Sequence, residues 1–501
     1  MALRSDRHNL LLVLAVAAVT GISFQGSRGL YETTEGRYAE CAREMAETNN
    51  WLTPQIDYKP HLSKPPLAYW AIAAGLKAAG RNEWGARLPG ALAFILISLA
   101  LYRTGSLMWD DRTGLLAGVV FATSPFAVAG ENSLSTDIFL ALWSVLTVMG
   151  YWKAQRAQTS GTGRIWMLSA WFFAAMGFLT KGPPSLLTPA SILVFHFCCK
   201  RRSEKPKSLF AFPGVLLFLA AGLSWYVFSV FKHSGTASYF LGQEVFERIF
   251  TGKFHRNPHW YSPVFVYILP IVFGLGGWLA FIPGILRRYG ALKKPFMFAR
   301  SLTSSPEKFF TAIWCVLPLL VLSVSRSRLP LYMLPFFPAI VLGIARSIRM
   351  LGGSSQKRKI ILVAACSTLL LAAAKNFSQY YKSDLDMRRL YNSMPAAVPG
   401  RTDYFIYREN NMFGLQFYLD GSLERVRGQS DTGRPGVDLE AVINNIKTGS
   451  ERRKAVFVVR KNNTSLERRL EEAGLQLNKR RASGSFYIIS LEEGSSGPPE
   501  H

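Results

Sequence analysis

SRGLYETTEGRYAECAREMAETNNWLTPQIDYKPHLSKPPLAYW, residues 27–70, is the stretch from which the rest of the chain is read. It follows a first apolar run, Asn9–Phe24, and precedes a long series of others. It carries the carboxylates Glu32, Glu35, Glu40 and Glu44 and the cations Arg37, Arg43 and Lys64 beside several aromatic rings. A loop that only joins two membrane helices needs none of these groups. The segment reads as the reaction floor of a membrane enzyme, with short amphipathic helices at Ala39–Ala46 and Leu67–Ala79.

Outward from this segment the apolar residues are clumped. The chain has 501 residues, 49% of them hydrophobic, and repeated runs approach the ~20 residues needed to cross a bilayer. Beyond the first helix, spans are expected near 88–109, 113–130, 137–154, 165–181, 184–199, 208–231, 261–285, 308–325, 329–348 and 359–375. That makes a polytopic α-helical membrane protein of about eleven transmembrane helices. Arg4 and Arg7 precede the first run, which reads as a retained helix with a cytoplasmic N-terminus.

The formal net charge is +26. In a soluble protein this would suggest nucleic acid. Here the cations cluster in short connections, Arg103–Arg112, Lys153–Arg164, Lys200–Lys207, Arg287–Lys308 and Arg346–Lys359, which alternation places inside. No nucleic-acid partner is expected. The five cysteines form neither a disulfide framework nor a metal-type spacing, and read as small buried hydrophobes.

The chain divides into a transmembrane domain, 1–375, and a tail, 376–501, of soluble composition. Periplasmic loops are expected at 26–87 and 232–260. Phe405–Arg408, Leu415–Tyr418, Val456–Val459 and Phe486–Ser490 read as strands, and Leu439–Lys447 and Leu466–Ala473 as helices, giving a small α/β domain. The outside face then gathers the opening segment, Gly130–Thr136, the junction at Lys181, the loop Lys232–Trp260, Ser325–Arg328 and the tail.

Several residues on that face suit chemistry. Glu35 precedes Gly36-Arg37-Tyr38, which offers a carboxylate, a cation and a phenol; such a carboxylate can take a proton from a hydroxyl within reach. Asp137 stands where a short loop enters a helix; it serves as a functional charge, as a helix N-terminal charge, or as both. Arg37, Lys64, Lys181, Arg248, Arg256, Arg326 and Arg328 run against the charge bias. An anionic ligand accounts for them, and phosphate is the natural one; lipid headgroups are the plainer explanation for any single residue. Lys64-Pro65-Pro66, Lys181-Gly182-Pro183-Pro184 and Arg328-Leu329-Pro330 each set a cation before a rigid turn. His255 is one histidine, and a metal site needs two or more converging ligands.

At these residues the chain resembles a known family. TEGRYAECAREM, NNWLTPQ, SKPPLAYW, NEWGARLPGALA, FLTKGPPSLLTP, HRNPHWY and SRLPLYMLPFFPAI, in order across roughly residues 30 to 350, are similar to the bacterial polyprenyl-phosphate-dependent glycosyltransferases. That group includes the aminoarabinose lipid A transferase, is related to the protein O-mannosyltransferases, and shares the GT-C membrane fold. The resemblance implies transfer of a sugar from an undecaprenyl-phosphate-type lipid to lipid A, another glycan or a protein. The place would be the periplasmic face of the bacterial inner membrane. It further implies a base among Glu35, Asp137 and Glu32, and a donor phosphate held by Arg37, Tyr38, Lys64, Lys181, Arg248 and Arg328. A divalent metal at His255 is the one cofactor implied; Ser63 stands where the family has an acidic ligand, and Thr34 where it has an Asp. The rival reading is a transporter or flippase of an anionic lipid or sugar, which shares the bundle and the outside cations but does not need the carboxylate-rich opening segment.

Overall fold

The computed structural model describes residues 2–199, 212–247, 256–289, 303–395, 402–409, 412–428, 436–448, 454–461, 463 and 465–491. Helical segments stand at each of the expected spans. They include α1 (Ala2–Ile22), α4 (Glu83–Met108), α5 (Asp111–Ala122), α6 (Pro125–Glu131), α7 (Asp137–Arg156), α8 (Ser160–Lys181), α9 (Leu187–Cys199), α10 (Phe212–Gly222) and α11 (Ser224–Lys232). Later come Pro306–Val324, Phe337–Leu351 and Ser354–Phe377.

Several of the expected spans are bent or broken rather than single straight helices. Among the described residues four unbroken helices are long and apolar enough to cross a membrane, and seven if each bent pair is one span. The bends have local causes. Between α5 and α6 the chain turns by 59°, where Ser124 is extended ahead of Pro125. Between Val264–Gly274 and Gly276–Tyr289 it turns by 82°, at Gly276 with φ +58. Cys198 and Cys366 are exposed rather than buried.

Basic connections converge at one end of the bundle. Arg346 meets Asp110 at 2.9 Å, and Arg156 meets Glu307 at 3.1 Å. The opposite end carries the opening segment. It forms α2 (Thr34–Thr48), ended by Asn49 in the left-handed region, a short hairpin β1 (Gln55–Ile56) and β2 (Lys59–Pro60), and α3 (Leu67–Ala79). One face of α2 and α3 is buried: Tyr38, Ala42, Met45, Tyr69, Ile72 and Leu76 share a core. The Asn82 side chain caps α4 through the amide of Gly85 at 2.9 Å.

The C-terminal unit is a six-stranded sheet of order β5-β4-β3-β6-β8-β7. Its strands are β3 (Thr402–Tyr407), β4 (Leu423–Arg427), β5 (Val437–Asp438), β6 (Lys454–Arg460), β7 (Leu477–Arg481) and β8 (Phe486–Leu491). The first four strands of that order run parallel, and β8 and β7 are antiparallel. Helices Leu439–Thr448 and Ser465–Glu472 cover it. Leu415–Tyr418, expected as a strand, is instead part of the helix Phe413–Tyr418. A four-residue apolar run has no period long enough to separate the two.

This unit docks on the opening segment. Glu32 and Met387 exchange backbone hydrogen bonds with Leu385 and Leu30, at 2.9 and 3.1 Å. Gly36 packs on Gly414 so closely that a Cβ there would lie 2.3 Å from the Gly414 amide nitrogen. The Tyr418 hydroxyl accepts from the Leu30 amide and donates to Glu83, and Arg425 pairs with Asp57.

Candidate active site

The site grows from helix ends. The antiparallel pair α7 and α8 brings the start of one beside the end of the other. Asp137 opens α7, where the helix dipole favours an anion, and Lys181 closes α8, where it favours a cation. The Lys181 ammonium donates to Asp137 Oδ1, and both side chains are buried. Gly182, with φ +74, turns the chain sharply away, so Pro183 begins a new turn. The Lys181 ammonium also lies 4.4 Å from the Tyr332 ring centroid, a cation–π contact.

Lys64 comes from the opposite wall, held just before Pro65-Pro66 and the start of α3. Its ammonium donates to the Ser63 carbonyl and to Glu244 Oε2, both at 2.7 Å. Glu244 belongs to the helical turn Tyr239–Glu247, and its other oxygen accepts from the Tyr239 hydroxyl at 3.2 Å. Ser63 Oγ lies 2.6 Å from His61 Nε2. Burial, with the Arg37 and Lys64 charges adding to it, pushes the His61 imidazole down to about 4, so the ring is neutral at pH 7.

Between these walls lies a cavity of about 470 Å³. Lys64, Lys181, Glu244, Ser63 and Tyr332 line its polar part; Leu140, Phe178, Leu187, Leu223, Val230 and Phe240 are among its apolar lining. It is an apolar channel with two lysines at one region of its wall.

Of the residues singled out from the sequence, Lys64 and Lys181 face this cavity, and Asp137 stands behind Lys181. Tyr38 is buried against the Tyr69 ring at 5.3 Å and sits near Thr136 and Asp137; burial raises its phenol to about 12. Arg37 lies 5.7 Å from the Tyr38 ring centroid, and its Nε is buried with no hydrogen-bond partner among the described residues.

Glu35 is placed elsewhere. Its carboxylate is 5% exposed and accepts from Arg28 at 2.5 and 2.8 Å, from Arg87 at 3.1 Å, and from the amides of Tyr31 and Leu134 at 2.9 and 3.2 Å. Burial alone would raise it, but Arg87 and Arg28 together hold it down to about 2. Arg328 likewise does not line the cavity: its guanidinium donates to the carbonyls of Asn257, His259 and Ser323 at 2.8, 2.7 and 2.8 Å and so ties down the neighbouring loop. Glu32 reaches the C-terminal unit and accepts from the Gly414 amide at 2.7 Å. Arg248 and His255 lie outside the described residues. Among the described residues no three His, Cys, Asp or Glu side chains converge as metal ligands. The sequence reading missed Glu244, the His61–Ser63 pair, Arg28 and Arg87; Glu244 and Arg87 have partners 180 and 52 residues away, whereas His61 with Ser63 and Arg28 with Glu35 are close in the chain but form no recognisable motif.

The bundle, its opening segment and the C-terminal sheet are the GT-C fold of membrane glycosyltransferases. The crystal structure of ArnT from Cupriavidus metallidurans bound to undecaprenyl phosphate superposes with a TM-score of 0.77 at 19% identity, covering 97% of this chain and 99% of that one. The tethered acceptor-peptide complex of the Archaeoglobus fulgidus oligosaccharyltransferase reaches 0.51 at 14% identity, over 90% of this chain and 68% of that one.

A family model described as dolichyl-phosphate-mannose-protein mannosyltransferase matches residues 63–227. In sequence, the chain is similar to the undecaprenyl phosphate-α-4-amino-4-deoxy-L-arabinose arabinosyl transferase 2 of Proteus mirabilis. The two are 28% identical over 346 residues, covering 68% of this chain and 60% of that protein. The arabinosyl transferase of Pectobacterium carotovorum is 28% identical over 341 residues, covering 67% and 58%. The chain thus spans about 60% of the length of the curated relatives it matches.

Proposed function

We propose that this protein transfers a sugar from an undecaprenyl-phosphate-type donor to an acceptor (lipid A, another glycan or a protein) on the periplasmic face of the bacterial inner membrane. The observation that carries this reading is the apolar 470 Å³ cavity with Lys64 and Lys181 on its wall and Asp137 bound to Lys181. The isoprenoid chain occupies the apolar part. The donor phosphate sits at the lysines, displacing Glu244 from Lys64, and Arg37 adds positive charge from α2. The Ser63 hydroxyl is placed to donate to a phosphate oxygen.

The acceptor hydroxyl gives its proton to the Asp137 carboxylate as its oxygen attacks C1 of the sugar. The C1–O bond to phosphate breaks, and its electron pair stays on the lipid phosphate. Lys64 and Lys181 stabilise that developing charge; in a water-poor site each such group supplies a few kcal/mol. General-base help adds roughly 10²–10⁴-fold. Glu35 takes a different part, fixing α2 against α4 and the Leu134 amide so that Tyr38 stays near Asp137.

The test uses purified protein, a synthetic undecaprenyl-phosphate sugar and membrane extract as acceptor source, with released undecaprenyl phosphate as the readout. Asp137→Asn is expected to lower turnover roughly 10²-fold or more while undecaprenyl phosphate still binds. Lys181→Ala is expected to weaken that binding. Translocation of donor without release of lipid phosphate would identify a flippase instead.

A further inference from the structure

A second polar cleft, of about 360 Å³, lies between the segment that leaves the last spanning helix and the turn joining β7 to β8. One wall carries Lys382, Ser383 and Arg389, the other Arg481 and Ser483, and Asp384 also lines it. Its depth relative to the membrane follows from the chain just before it. The helix Ser354–Phe377 and its terminal turn end in Phe377, Tyr380 and Tyr381, which are 63, 68 and 68% exposed. Exposed aromatic rings at the end of an apolar helix mark the boundary between hydrocarbon and headgroups. Lys382 is the next residue, so the cleft opens at headgroup level.

Its charges are arranged for an anion. Three cations face one carboxylate. That carboxylate is turned onto the hairpin: a Cβ on Gly484, whose φ is +68, would lie 2.2 Å from Asp384 Oδ1. Arg389 is a fixed wall, with Nη2 donating to the Gln379 carbonyl and Nε 3.6 Å from Asp386. Lys382 and Arg481 are each paired with no carboxylate among the described residues. Basic residues on β7 guard a sheet edge, which accounts for Lys479 and Arg480 and in part for Arg481. That reason does not extend to Lys382 and Arg389 on the facing wall. On the proposed orientation the cleft is periplasmic, so the inside bias for cations does not account for them either.

We propose that this cleft binds the phosphate-bearing headgroup of an anionic lipid in the leaflet under the C-terminal unit. Guanidinium forks, an ammonium and two hydroxyls suit phosphate oxygens, and the site is separate from the apolar cavity at Lys64 and Lys181. It rests on the transfer reading for its side of the membrane, not for its chemistry. A lipid held here anchors the sheet unit over the opening segment that it covers.

Native mass spectrometry of the full-length protein in detergent tests this, with dioctanoyl phosphatidic acid, dioctanoyl phosphatidylcholine and inorganic phosphate as probes. The wild type is expected to retain phosphatidic acid over phosphatidylcholine. Lys382→Glu with Arg481→Glu should weaken phosphatidic acid roughly tenfold or more, a change worth ~1.4 kcal/mol. Lys447→Glu with Arg468→Glu makes the same charge change on helices away from the cleft and should alter binding less than about twofold, as screened surface charges do. Equal weakening by both pairs, or none by the first, overturns the proposal. Inorganic phosphate binding as tightly as phosphatidic acid also overturns it, leaving a free-anion site. Undecaprenyl phosphate binding is followed in parallel: its retention in the cleft variants shows they are folded, and its absence in the wild type would defeat the transfer reading without touching the cleft.

Discussion

Glu35→Gln separates a structural carboxylate from a catalytic one. The change keeps the shape and removes the charge. Arg87 is fully buried and Arg28 nearly so, and both would lose their counter-ion. Removing one partner of a buried pair costs ~3–5 kcal/mol. The titration points the same way: a drop from 4.5 to about 2, at 1.36 kcal/mol per unit, corresponds to about 3 kcal/mol. Because the folded value is depressed, this stability is present above pH ~4.5 and is lost as pH falls toward 2. Thermal unfolding in detergent at pH 7 should therefore show a Tm lower by roughly 5 °C or more. The wild type should approach the variant as pH is lowered toward 3. Turnover per folded molecule at low temperature should fall far less than for Asp137→Asn. An unchanged Tm together with abolished turnover would refute this and return the base to Glu35.

Glu244→Gln should tighten undecaprenyl phosphate binding several-fold, because Lys64 loses the carboxylate that occupies it at 2.7 Å; equilibrium binding to the detergent-solubilised protein reads this, and weaker binding would make Glu244 a donor contact instead. Glu32 is buried at the docking surface, and burial raises it to about 7. The raised folded value means that stability is present below pH ~4.5 and fades as pH rises toward 7. Docking of the C-terminal unit should be firmer at pH 5 than at pH 7.5, seen as slower proteolysis between the last spanning helix and β3. Glu32→Gln should remove the difference, and a difference that survives it would assign the effect to another group.

The helical places in the bundle were legible because an apolar run has a length and a period that bilayer thickness and helical geometry dictate locally. The bounds of α3 follow in the same way from Pro65-Pro66 before Leu67 and Gly80 after Ala79. The places of Asp137 and Lys181 were also legible, the first as an anion at a helix start and the second as a cation before a rigid turn. The bends were less so: a proline or glycine marks a possible break, and packing sets the 59° or 82° angle. The use of each charge was not legible at all. A glutamate clamped by two arginines reads the same in sequence as one open to a substrate. Glu35 and Arg87 are 52 residues apart, and Lys64 and Glu244 are 180 apart. The amino-acid sequence alone therefore determined a helical membrane protein with a charged segment after its first apolar run and a small C-terminal sheet. Only the tertiary structure decided which charges meet, because that depends on which helix ends pack together: Glu35 and Asp137 are equally buried and differ in their partners, two arginines for the one and a lysine for the other.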